Sequence, residues 1–190
     1  MAGEFSINGE AVGPWKLVAS AENAGSVASL SAYTTTQYNR LLFRIYVERA
    51  SSTAAYPYFY FLDNTGTRLT DFYNHRMLIS YGTSFYSNET TGYIWLPGYL
   101  TTNLRYDTED NPGIFEMLYF NIDGSSRNAG YLANWGYRTS TNIQIRAMGY
   151  GRKYMNPTIN PVYGIEATTN SGAYTIQTPK IEVYGDTTLT

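Results

Sequence analysis

The period of its apolar residues constrains this chain more than any other feature. Short runs alternate apolar with polar residues, and clusters of Gly, Asn, Ser, Thr and Pro separate them. Nowhere do apolar residues recur at i, i+3, i+4 and i+7 between capping residues, as an amphipathic helix requires. Strand side chains alternate between faces, so a period of two buries one face of a sheet. Many such runs in 190 residues predict an all-β chain. The expected architecture is an antiparallel two-sheet sandwich, a jelly roll or a related arrangement.

Arg40–Glu48 carries the clearest pattern, with Leu41, Phe43, Ile45 and Val47 on one face and Leu42, Arg44, Tyr46 and Glu48 on the other. Asn142–Met148 and Lys180–Tyr184 repeat it, the latter with Ile181 and Val183 inward. Glu116–Ile122 sets Leu118, Phe120 and Ile122 against Met117, Tyr119 and Asn121. Trp15–Ala21, Met77–Ser84 and the short Tyr93–Leu96 are further expected strands. In Ala55–Leu62, Tyr56, Tyr58 and Tyr60 face one way and Pro57, Phe59 and Phe61 the other. Pro57 lacks a ladder donor, which predicts a sheet edge or a strand start. Asp63-Asn64-Thr65-Gly66 reads as a hairpin turn, since Asn and Gly tolerate positive φ. Tyr150–Ser171, rich in Gly, Asn and Pro, reads as a long loop, and Asp107–Gly113 as an acidic turn.

The length suits one domain. Gly13-Pro14 marks the single expected boundary, between an N-terminal arm of residues 1–13 and a β domain of residues 14–190. The arm is expected to serve attachment or subunit exchange. No run approaches the roughly 18 apolar residues of a membrane helix. Met1–Gly13 lacks the basic and apolar regions of an export signal, so folding in a reducing cytosol is expected.

Composition narrows the chemistry. The chain has no cysteine, which excludes disulfides, thiolate metal sites and a cysteine nucleophile. A single histidine excludes a multi-histidine metal centre. The formal charge is −2, from 13 basic and 15 acidic residues, and exerts no general pull on nucleic acid or anionic membrane. Asp107, Glu109 and Asp110 cluster, but on a turn where acids are ordinarily solvated. They also lack the spaced pattern of a calcium loop. His75 has no Gly-x-Ser-x-Gly elbow to serve and reads as a hydrogen-bonded turn or interface residue. Gly149–Lys153 is a Gly-rich basic spot without the spacing of a phosphate loop, and reads as a solvated loop. No enzyme, metal or cofactor is expected.

Twenty tyrosines and a ten-to-three excess of Arg over Lys describe contact surfaces instead. Tyr offers a large, stiff face with a polar tip, and Arg offers a fork that also stacks on rings. Aromatic rings also stack on sugar faces. The candidate ligand-binding residues are therefore Tyr56, Tyr58 and Tyr60 on one strand face, with Trp95, Trp135 and Tyr137 near Gly or Pro turns. The competing reading makes Trp15 and Trp135 core or subunit plugs.

Four segments carry a family resemblance. They are Gly13-Pro14-Trp15-Lys16-Leu17-Val18, the strand Leu41–Val47, Ser140-Thr141-Asn142-Ile143-Gln144-Ile145-Arg146, and Lys180-Ile181-Glu182-Val183-Tyr184-Gly185. In this order, across residues 13 to 185, the chain resembles the small jelly-roll modules of tailed-bacteriophage fibre, head-fibre and receptor-binding proteins. In those modules a final Ile-x-Val/Leu-Tyr-Gly strand closes the sandwich. Tyr150–Ser171 departs from the pattern. The resemblance implies a homotrimeric virion component, made in the host cytoplasm and released by lysis. Its N-terminal arm would hold other virion proteins, and its β domain would meet a host surface glycan or protein. It implies no catalytic residue. A capsid decoration or tail-adaptor protein of the same fold, and a stand-alone carbohydrate-binding module, are the alternatives.

Overall fold

The computed structural model describes residues 4–7, 10–47, 49–50, 57–69, 73–81, 84–90, 94–95, 113–120, 128–138, 144–154, 161–169, 175–177 and 179–187. Among these residues all regular structure is strand, arranged mainly as two antiparallel sheets with the character of a β-sandwich. In chain order the strands are β1 (Glu4–Ile7), β2 (Glu10–Glu22), β3 (Ser26–Val27), β4 (Ser29–Tyr33), β5 (Arg40–Val47), β6 (Arg49–Ala50), β7 (Pro57–Leu62) and β8 (Tyr73–Tyr81). There follow β9 (Ser84–Thr90), β10 (Ile94–Trp95), β11 (Gly113–Phe120), β12 (Asn128–Arg138), β13 (Gln144–Tyr154), β14 (Gly164–Thr169), β15 (Ile176–Gln177) and β16 (Lys180–Asp186).

Four antiparallel ladders nest inside one another. The outermost joins β2 to β16, from Trp15 opposite Asp186 to Glu22 opposite Lys180. Next, β4 meets β14, from Ser29 opposite Thr168 to Tyr33 opposite Gly164. Inside these, β5 meets β11 from Arg40 opposite Phe120 to Val47 opposite Gly113, and β7 meets β10 with Phe59 opposite Ile94. Further pairings of β16 with β5 and of β14 with β7 gather the ladders side by side. The smaller sheet has the order β10-β7-β14-β4. The larger runs β1-β2-β16-β5-β11 and continues through β12, β13, β8 and β9. A third set, β3-β15-β6, links strands that continue into both sheets.

The core lies between the sheets. Leu41, Phe43, Ile45, Phe115, Met117, Tyr119, Ile181 and Val183 of the larger sheet meet Ala32, Phe59, Phe61, Ile94, Ile165 and Ala167 of the smaller. The Phe59 and Phe115 rings stack across the gap, and Phe61 packs edge-on against Tyr119. Such pairs add about 0.5–1.5 kcal/mol beyond the area they bury.

The expected alternation holds on β5, where Leu41, Phe43 and Ile45 are buried, and on β16, where Ile181 and Val183 are. On β11 the buried set is Phe115, Met117 and Tyr119, while Leu118 is half-buried on the opposite face. Pro57 opens β7, as a missing donor suits, but β7 lies between β10 and β14 and not at an edge. Met77–Ser84 divides between β8 and β9. His75, expected as a turn or interface residue, lies within β8 and not in a turn, and Gly149–Lys153, expected in a loop, lies within β13. Gly13 and Pro14 lie within β2. Residues 107–112 fall outside the described set.

The largest correction concerns Tyr150–Ser171. This segment is not one long loop: it completes β13 and supplies β14, an inner strand of the smaller sheet. All six residues of β14 are buried, so the alternation that betrays a strand is missing. Gly164 also serves a close approach there. A Cβ at this position would lie 2.3 Å from the Ala32 carbonyl oxygen and equally near the Tyr33 Cβ.

Candidate binding surface

The outer face of the smaller sheet is built around β7. Its alternation buries Phe59 and Phe61 and leaves Tyr58 and Tyr60 half-buried on the other side. In the ladders Tyr60 stands opposite Glu166, and Tyr58 stands between Trp95 and Thr168. After β7 the chain turns at Asp63. Its carboxylate accepts from the Thr65 amide at 2.8 Å, the Thr65 hydroxyl at 2.7 Å and the Thr67 amide at 2.9 Å. These bonds favour the charged carboxylate and hold its pKa below the usual range, the Thr65 hydroxyl contributing most. Gly66 takes the positive φ of 81° that the turn needs.

That turn brings Arg68 alongside Leu62 through an isolated bridge. The guanidinium lies over the Tyr60 ring, 4.3 Å from its centroid. It forks to Glu166, with Nε and Nη2 donating to the two carboxylate oxygens at 2.6 and 2.8 Å. Glu166 is buried, and its hydrogen bonds raise the Arg68 pKa further. Both carboxylate oxygens are engaged, and the pair cancels its own charge. The assembly presents an aromatic, guanidinium and hydroxyl surface that suits contact and recognition.

A second polar surface lies on the outer face of the larger sheet. Arg44 Nε donates to Glu116 at 2.9 Å, and its guanidinium sits 5.7 Å from the Tyr184 ring centroid. The Tyr184 hydroxyl donates to Glu182 at 3.0 Å, and Lys180 pairs with the same carboxylate at 2.8 Å while standing over Tyr46. Burial, reinforced by Glu182, pushes the phenols of Tyr46 and Tyr184 up. At the end of this sheet Arg40 pairs with the fully buried Asp186 and lies over the Trp15 ring.

Of the candidate residues, Tyr58 and Tyr60 lie on β7, and Trp95 stands in register opposite Tyr58 on the neighbouring β10. Trp135 and Tyr137 lie on β12 of the larger sheet, opposite Phe115 and Ile145 respectively. Tyr56 falls outside the described residues. Arg68 and Glu166, which complete the first surface, carry no local motif. Their only sequence trace is the general surplus of arginine. Among the described residues no group of His, Asp and Glu could hold a metal ion. Comparison of the chain with family models, curated proteins and solved structures gives no match.

Proposed function

We propose that the chain is a non-catalytic virion structural protein of a tailed bacteriophage, a jelly-roll fibre or receptor-binding module that works as a trimer. The nested ladder order carries this reading. A jelly roll is a long antiparallel hairpin rolled into two sheets. Taking the eight strands β2, β4, β5, β7, β10, β11, β14 and β16 in order, the ladders pair first with eighth, second with seventh, third with sixth and fourth with fifth. The hairpins β8–β9 and β12–β13 are then additions that widen one sheet. Surfaces rich in paired Arg and Tyr support a contact role.

Purified protein tests this directly. Saturable adsorption to bacterial cells that blocks phage attachment is the expected result, together with a sedimenting mass that is a multiple of three chains. Absence of cell binding with retained binding to phage particles would favour the capsid-decoration or tail-adaptor reading. Cleavage of a cell-surface polysaccharide would overturn the non-catalytic reading.

The grouping of Tyr58, Tyr60 and Trp95 on adjacent strands favours a second reading, a carbohydrate-binding module. A glycan array probed with the isolated monomer, and again with Tyr58→Ala, distinguishes it.

A further inference from the structure

Strand β4 ends the smaller sheet on one side, and among the described residues only β14 pairs with it. The Thr34 amide donates to the Tyr163 carbonyl at 3.0 Å, so just past the ladder Thr34 directs its amide to the β14 side. Antiparallel ladders alternate hydrogen-bonded pairs with non-bonded ones. Ala32 and Leu30 therefore direct their amide and carbonyl groups to β14. Ser29, Ser31 and Tyr33 direct theirs away from it, along the edge that no described strand pairs.

Proteins ordinarily blunt such an edge with a charge, a proline, a bulge or very short length. Strand β4 has none of these. It is five residues long, its register with β14 is regular, and its sequence is Ser-Leu-Ser-Ala-Tyr. No charged residue occurs from Asn23 to Asn39. Ser29, Ser31 and Tyr33 are exposed, and Tyr33 has 42% of its surface open to solvent.

We propose that this edge pairs with the same edge of a second copy of the chain, antiparallel across a two-fold axis at Ser31. Residues at equal distances from Ser31 then face each other, Ser29 against the second copy's Tyr33 and Ser31 against itself. All three positions carry edge-directed amide and carbonyl groups, so each pair closes two hydrogen bonds without a shift of register. Both copies bring the same charges to a two-fold contact, so like charges near the axis would repel, and the uncharged segment removes that penalty. Leu30, half-buried in one copy, gains cover from the second copy's Ala32. This contact is independent of the proposed virion role and differs from a three-fold contact, which cannot place one edge against itself.

Sedimentation of the full chain over a range of micromolar concentrations tests the proposal, using Ser31→Lys and Ser31→Glu. Ser31 is exposed, and thermal melts check that both variants fold. Each variant alone is expected to weaken self-association roughly fivefold or more, since like charges face each other. An equimolar mixture of the two is expected to restore it. Ser29→Lys probes the same contact from the position opposite Tyr33 and is expected to weaken it also. A sedimenting mass unchanged by Ser31→Lys overturns the proposal, as does a mixture that fails to recover association.

Discussion

Phe59 of the smaller sheet and Phe115 of the larger stack with ring centroids 4.5 Å apart and planes 19° from parallel. Both rings are buried, and their contact ties the innermost ladder to the opposite sheet. Removing either ring leaves a cavity with aromatic walls. Phe59→Ala is expected to cost about 3–5 kcal/mol in chemical denaturation. The double variant with Phe115→Ala should cost less than the sum, by about 0.5–1.5 kcal/mol. Strict additivity would mean that the rings contribute separately.

Arg68→Ala strands the buried Glu166 carboxylate without its fork. Because Arg68 is itself 44% exposed, water can reach part of the site, and the expected cost is about 1–3 kcal/mol. Arg68→Ala combined with Glu166→Gln should recover part of the loss, since the buried charge disappears with its partner. A double variant less stable than Arg68→Ala would show that Glu166 has a further essential contact.

Gly164→Ala is expected to be more disruptive than its size suggests. The added methyl carbon meets the Ala32 carbonyl oxygen, which belongs to the backbone of β4 and cannot swing aside. The β4–β14 ladder must separate locally, at a cost of about 1–3 kcal/mol. Hydrogen exchange of the Thr34 amide, which bonds across this junction, should quicken. An unchanged rate in a stable variant would contradict the close approach.

Alkaline pH should weaken the fold through Tyr46 and Tyr184. Burial favours their neutral phenols, so both pKa values lie above the ordinary 10.0. Below about pH 10 the folded and unfolded chains are both protonated, and the full contribution is present. As pH rises further the unfolded chain ionises first, and stability falls until the folded phenols ionise too. Denaturation midpoints measured from about pH 9 to pH 11 should therefore decline. Tyr184→Phe should make the decline shallower, whereas an equal slope would place the sensitivity on other residues.

Strands with one face in the core and one in water could be read from the chain. Leu41, Phe43 and Ile45 alternate with Leu42, Arg44 and Tyr46, and the structure keeps that division. The same logic placed Tyr58 and Tyr60 opposite Phe59 and Phe61. β14 escaped because both its faces are covered. Its outward carboxylate, Glu166, is buried through an arginine 98 residues away in sequence, a partnership no local pattern records. β4 escaped for a different reason. Its serines and alanine carry little β preference, and its place at the sheet margin comes from tertiary pairing. Arg68 was hidden for the reason that hid Glu166, since each gains meaning only from the other.

The outermost ladder places Trp15, midway along β2, beside Asp186, the last residue of β16. The outermost ladder therefore starts at a single corner of the sandwich, where β1 also folds back beside β2. A pull applied between those two points would open β2 from β16 one rung at a time, like a zip. A pull from that corner against a partner gripping the outer face of the smaller sheet would load many rungs together. Resistance to force thus depends on direction: a pull between Trp15 and Asp186 meets one rung at a time, and a pull across the ladders meets many at once.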